Sequence, residues 1–112
     1  MQVEYTGRQT EVPAAIKALA ERKLKKLSRV LRGITHVHVI LGVDKHRHLA
    51  EVSVRSPRRS LAARDETGDL GVSLATVLDK LIRQAKRHND KRRERKRRLR
   101  RTGRTSGESP AR

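Results

Sequence analysis

Between residues 34 and 66, apolar side chains return at every second position in three successive stretches, separated only by short polar breaks. That period belongs to half-buried strands, and breaks this short allow only hairpin connections. In residues 34–43, Val37, Val39, Leu41 and Val43 share one face, with His36, His38 and Ile40 on the other. Residues 49–56 repeat the pattern through Ala50, Val52 and Val54, and residues 60–66 more weakly through Leu61 and Ala63. The breaks are Asp44-Lys45-His46-Arg47 and Pro57-Arg58. Three antiparallel strands with one apolar face require a second layer to cover it.

The cover flanks the strands in sequence. Ile16, Leu19, Ala20, Leu24, Leu27 and Leu31 recur at helical spacing. Pro13 suits the first helical position, where its missing N–H costs nothing. Val12 is then the N-cap, a weak one that Thr10 or Glu11 would assist. Gly33 suits the C′ position at the other end. A loop over residues 67–69 supplies Asp69 as N-cap for a second helix from Leu70, with Leu74, Val77, Leu78, Leu81 and Ala85 as its apolar stripe. Residues 2–6 alternate around Val3 and Tyr5 and add a short first strand, turned by Gly7-Arg8.

The order β-α-β-β-β-α begins with a β-α-β unit, which implies two parallel strands joined by a right-handed crossover. The expected fold is α+β, a two-layer sandwich of a four-stranded sheet with both helices on one face. Beyond Ala85 the apolar pattern stops while Lys, Arg and Glu continue. The second helix should therefore project past the core and fray between residues 90 and 100. This divides the chain into a domain over residues 1–95 and a basic, disordered tail over residues 96–112, whose end is rich in Gly, Ser, Thr and Pro.

Charge narrows the function. The chain carries 29 Lys and Arg against 12 Asp and Glu, a formal net charge of +17. Such a surplus repels itself and calls for a polyanion. Nucleic acid is the first candidate, because each phosphate contact releases condensed counterions. A membrane surface usually needs an amphipathic helix anchored by Trp or Phe, and the chain has neither. Residues 1–85 hold 16 Lys and Arg against 9 acids, residues 86–104 hold 12 against 2. With no cysteine, no apolar signal core and no apolar run near the roughly 20 residues of a membrane span, a cytoplasmic protein is expected.

The basic residues have a phase. Lys80, Arg83 and Arg87 fall at i, i+3, i+7 on one helix flank, as do Arg22, Lys26 and Arg29 on the other helix, with Lys23 and Lys25 beside them. If the helices lie side by side, the two flanks merge into one ridge. The plain alternative is a solvated helix face, but few acids stand nearby and the surplus charge favours phosphate binding. The sole aromatic, Tyr5, is expected in the core. That excludes base stacking on an aromatic platform and leaves RNA shape and backbone charge to be read. Five histidines raise the question of metal, yet no Cys and no suitably spaced carboxylate accompanies them. They read instead as polar residues of the open sheet face or as further RNA contacts. Asp65, Glu66 and Asp69 cluster where a helix N-terminus attracts acids for dipole reasons alone, and no catalytic motif appears.

Four segments carry a resemblance: MQVEYTGRQTEV at the start, KLKKLSRVLRGITHVHVIL, RHLAEVSV, and DLGVSLATVLDKLIRQAKRH. In that order, over residues 1 to about 95, the chain resembles the ribosome hibernation-promoting factors. These include the ribosome-associated translation inhibitors and were once described as sigma-factor modulation proteins. The resemblance implies the same β-α-β-β-β-α fold, no catalysis and no cofactor. It implies docking on the small ribosomal subunit, in the channel between head and body where messenger and transfer RNA would sit. By motif, the family's ribosome-contacting positions correspond to Lys23, Lys26 and Arg29 in KLKKLSR and to Lys80, Arg83 and Arg87 in DKLIRQAKR. Two departures stand out. The family usually places Tyr third in its last helix opening, where this chain has Gly71 after Asp69 and Leu70. Long members also carry a linker and a dimerisation domain, so a short form is expected here.

The leading expectation is a stress-related ribosome factor that blocks the decoding channel and inhibits translation. Its partners would be ribosomal RNA and ribosomal proteins, with no membrane or small-molecule substrate, and it would be monomeric off the ribosome. The alternatives are a general binder of double-stranded RNA or DNA acting off the ribosome, and an interaction module that regulates a protein partner.

Overall fold

The computed structural model describes residues 1–57 and 59–104. Strands β1 (Gln2–Arg8), β2 (His36–Asp44), β3 (Arg47–Arg55) and β4 (Ser60–Thr67) form one sheet in the order β1-β2-β3-β4. β1 runs parallel to β2, and the other two pairings are antiparallel. Helices α1 (Ala14–Val30) and α2 (Leu70–Arg104) form the second layer. The expected α+β sandwich is the one observed.

Alternation decides the faces. Val37, Val39 and Leu41 are at most 1% exposed, and their partners Val54, Val52 and Ala50 are buried with them. Above them lie Ala20, Leu24 and Leu27 from α1 and Leu74, Val77, Leu78, Leu81 and Ala85 from α2. Burying each such Leu or Val contributes roughly 1.5–3 kcal/mol relative to exposure. Tyr5 packs against this core as expected. Partial burial, together with the Glu21 carboxylate, pushes its hydroxyl pKa above the usual 10.0, and Lys17 Nζ sits 5.6 Å from the ring centre. His36 and His38 occupy the opposite, open face. His38 Nε2 is 2.8 Å from Thr6 Oγ1, and His36 Nδ1 is 3.2 Å from Thr35 Oγ1.

Both ends of α1 differ from expectation. Pro13, not Val12, is the N-cap, with ψ of 151° and no side-chain cap bond. Its carbonyl accepts from the Ile16 and Lys17 amides. An N-cap must supply that carbonyl but need not donate, so proline fits one position earlier than its preference for N1 suggests. The Thr10 hydroxyl donates instead to the Glu11 carbonyl. At the far end Leu31 is the C-cap. Gly33 lies two residues on, at φ +78°, a backbone conformation that residues with side chains rarely adopt.

The start of α2 matches its sequence signal. The Val72 amide donates to Asp69 Oδ1 at 3.0 Å. Ser73, fully buried, donates to the His48 carbonyl at 2.7 Å and lies 2.6 Å from Thr67 Oγ1. This ties the first turn of α2 to both β3 and β4. The far end does not match. α2 runs on to Arg104, past the 90–100 stretch where fraying is expected. Lys, Arg and Leu are strong helix formers, and over residues 91–104 their propensity outweighs the missing core packing. The expected disorder of residues 105–112 falls outside the described residues.

Candidate nucleic-acid interface

Topology sets where the cations meet. α1 leaves the end of β1 and returns to the start of β2. α2 leaves the end of β4, which lies at the same end of the sheet as the end of β1, since β4 is antiparallel to β3 and β3 to β2. The helices therefore run parallel. Two contacts confirm it: Lys23 meets Asp79, and further along both helices Asn89 Nδ2 donates to the Val30 carbonyl at 2.8 Å. Cations favour helix C-termini because of the macrodipole. Parallel helices bring the two basic C-terminal halves together.

The same contacts fix the flanks of each helix. Asp79 and Asn89 mark the α1 side of α2. Lys80, whose Nζ lies 3.5 Å from the Arg64 carbonyl and 3.9 Å from Asp65 Oδ1, marks the β4 side. At 100° per residue, Arg83 points outward between those flanks, Arg87 lies nearer Lys80, and Lys86 leans towards α1. On α1, Lys23 faces α2, and Lys17 and Glu21 face β1 near Tyr5. Arg22, Lys25, Lys26 and Arg29 then cover the outer face.

The six positions singled out in the sequence thus divide. Lys26, Arg29, Arg83 and Arg87 are exposed, on or beside the outer face of the helix layer. Lys23 is drawn into the groove between the helices, 2.8 Å from Asp79 Oδ1. Lys80 is turned away towards β4. The single ridge expected from phase is instead a basic field on the outer helix faces, with Lys23 beneath it and Lys80 at its margin. Sequence phase missed Lys86, although it stands seven residues after Asp79 and shares its flank. It also missed Arg32 and Arg59, which belong to no helix.

The field is chemically simple. Among the described residues its cations are Arg22, Lys25, Lys26, Arg29, Arg83, Lys86 and Arg87. Of the acids near them, Asp79 is taken by Lys23, and Asp90 stands exposed on the outward face of α2, three residues after Arg87. Guanidinium and ammonium groups in this arrangement can bind phosphates along a backbone. Of the acids that raised the question of catalysis, Asp65 lies in β4 beside Lys80, and Asp69 serves as a helix cap. Among the described residues no three His, Asp or Glu side chains converge as a metal site, and no helix is long and apolar enough to cross a membrane.

Similar proteins share both the sequence and the fold. The ribosome hibernation promoting factor of Salmonella typhimurium is 31% identical over 91 residues, spanning 81% of this chain and 96% of that protein. The protein of the same name from Azotobacter vinelandii is 33% identical over 95 residues, spanning 85% of this chain and 89% of its own length. Among solved structures, the N-terminal domain of Thermus thermophilus Protein Y superposes with a TM-score of 0.72 at 29% identity, covering 79% of this chain and 99% of that domain. The profile described as "Sigma 54 modulation protein / S30EA ribosomal protein" matches residues 3–93, which include all six singled-out positions. The chain belongs to the Sigma 54 modulation protein / S30EA ribosomal protein family.

Proposed function

We propose that this protein is a ribosome-binding factor that silences translation. It sets the outer face of its helix layer against ribosomal RNA of the small subunit, in the decoding channel, where its bulk excludes messenger and transfer RNA. Lys26, Arg29, Arg83 and Arg87 make the principal phosphate contacts, supported by Lys86, with Lys23 and Lys80 in lesser roles. The observation that carries this reading is the basic field spread over both helices. Family membership supports it, since relatives bear the name ribosome hibernation promoting factor. No step of chemistry is involved: the action is steric, and the affinity comes from counterion release.

The test is co-sedimentation with purified small subunits across a salt series, using the native protein and a Lys26→Ala/Arg83→Ala/Arg87→Ala variant. None of these side chains is in the core, so the variant should melt like the native protein. Its binding should weaken by at least tenfold at moderate salt. A folded variant that still binds with native affinity would remove the helix face as the docking surface. Equal native affinity for small subunits and for duplex RNA of the same phosphate content would favour a general nucleic-acid binder instead.

A further inference from the structure

A second basic feature lies at the end of the molecule where both helices bring their C-terminal halves. The start of β2 and the turn between β3 and β4 are at that same end, because His36 pairs with Arg55 and Arg55 with Ser60. Four segments therefore surround a cleft of about 510 Å³. Arg29 enters it from the last turn of α1, Arg32 from the turn that follows, and Arg59 from the β3–β4 turn, with Asn89 of α2 at its margin. Among the described residues lining the cleft there is no carboxylate.

We propose that this cleft is a phosphate seat at the end of the molecule, sharing Arg29 with the outer face of α1 and adding Arg32 and Arg59, that holds a backbone phosphate of bound RNA. The proposal rests on the ribosome-binding reading for the source of the phosphate. It rests on the cleft alone for the chemistry. Three arginines from three segments line a concave site, and a concave site lined by one sign of charge concentrates its field on an incoming counter-ion. Each guanidinium offers N–H donors in a planar fork that matches phosphate oxygens.

The placement is built rather than incidental. The Ser56 amide donates to the Arg59 carbonyl at 2.9 Å, and the Arg59 amide donates back to the Ser56 carbonyl at 3.3 Å. The Ser56 hydroxyl adds a bond to the same Arg59 carbonyl at 2.8 Å. This fixes the backbone that carries Arg59. Gly33, at φ +78°, lets the α1–β2 turn take a left-handed bend beside Pro57, and Arg32 and Arg59 line the one cleft. The end of a helix repels anions, but only with roughly half an elementary charge. Here one of its carbonyls, that of Val30, is already covered by the Asn89 amide. Three full positive charges outweigh what remains of the dipole.

The experiment uses the full chain, labelled for amide NMR, with inorganic pyrophosphate as the free probe and purified small subunits as the RNA source. Pyrophosphate should move the amide signals of Arg32, Gly33 and Arg59 saturably, and Arg32→Ala/Arg59→Ala should abolish the movement. In the salt series with small subunits the same variant should lower the magnitude of the log–log slope by about 0.7–0.9, the value of one phosphate no longer neutralised. Absent or non-saturating shifts, or identical shifts in the variant, would overturn the seat. Shifts abolished in the variant together with a native slope on small subunits would overturn the RNA assignment and leave a site for free phosphorylated ligands. Both altered side chains lie outside the core, and the amide spectrum itself reports whether the variant is folded. Failure of the helix-face variant to weaken ribosome binding would count against the proposed function, while the pyrophosphate shifts judge the cleft independently.

Discussion

Lys23 and Lys26 stand three residues apart in the same basic run, yet they sit in different fields. Lys26 is exposed, whereas the Lys23 side chain is 19% exposed and ion-paired to Asp79. Charge and helical phase could not separate them, because the difference is made by an acid 56 residues away. Asp79→Asn should therefore act against simple intuition. The Asp79 side chain is half-exposed, and pairs of this kind contribute about 0–1 kcal/mol, so the melting temperature should shift by only a few degrees. Binding to small subunits should strengthen by a few-fold at low salt, because the change frees Lys23 and removes a negative charge from the basic field. Weaker binding by the folded variant, in the same co-sedimentation series, would mean that the ion pair itself is part of the docking surface.

At the scale of elements, the two helix starts show what local sequence can specify. Asp69 was legible as a cap because an N-cap acid acts within three residues, through the Val72 amide. Asp69→Ala should cost about 1 kcal/mol, read as a lower urea midpoint by circular dichroism with an unchanged slope. The Ser73 bonds to β3 and β4 remain, so the helix should loosen at its first turn and not detach. An unchanged midpoint would show that the Val72 amide finds another acceptor. Gly71, where the family usually has Tyr, lies beneath that cap: a Cβ there would approach Asp69 Oδ1 to 3.3 Å and Ile16 Cδ1 to 3.9 Å. The start of α1 was less legible. Pro13 fits both N1 and the N-cap by its own geometry, and only the hydrogen bonds accepted by its carbonyl distinguish them.

The described residues span 64 × 25 × 17 Å, and the length comes from α2. The last core residue of that helix is Ala85, and residues 86–104 carry it on by about 28 Å at 1.5 Å per residue. The family profile ends at residue 93, so the far part of this arm is outside the shared domain. We expect truncation after Asn89 to leave the melting temperature nearly native, because every core residue and the Asn89–Val30 bond survive. Binding to small subunits should persist at low salt and fade earlier as salt rises, with a slope smaller by about 0.7–0.9 for each phosphate that the arm no longer neutralises. Abolition of binding even at low salt would make the arm the binder and the folded domain its carrier.

The sequence by itself determined the sheet, its hairpins and its buried face. Alternation in Val37, Val39 and Leu41 is a property of neighbours two residues apart, and short breaks leave no alternative to hairpins. It also determined a net charge of +17, the ground on which we propose a polyanionic partner, since net charge needs no fold to be counted. The tertiary structure decided which cations are available to that partner. Asp79 takes Lys23, the edge at β4 takes Lys80, and the parallel course of the helices gathers Arg29, Arg32 and Arg59 at one end. A side chain's charge is local, but the field it works in is the sum over elements that only folding brings within a few ångströms of it.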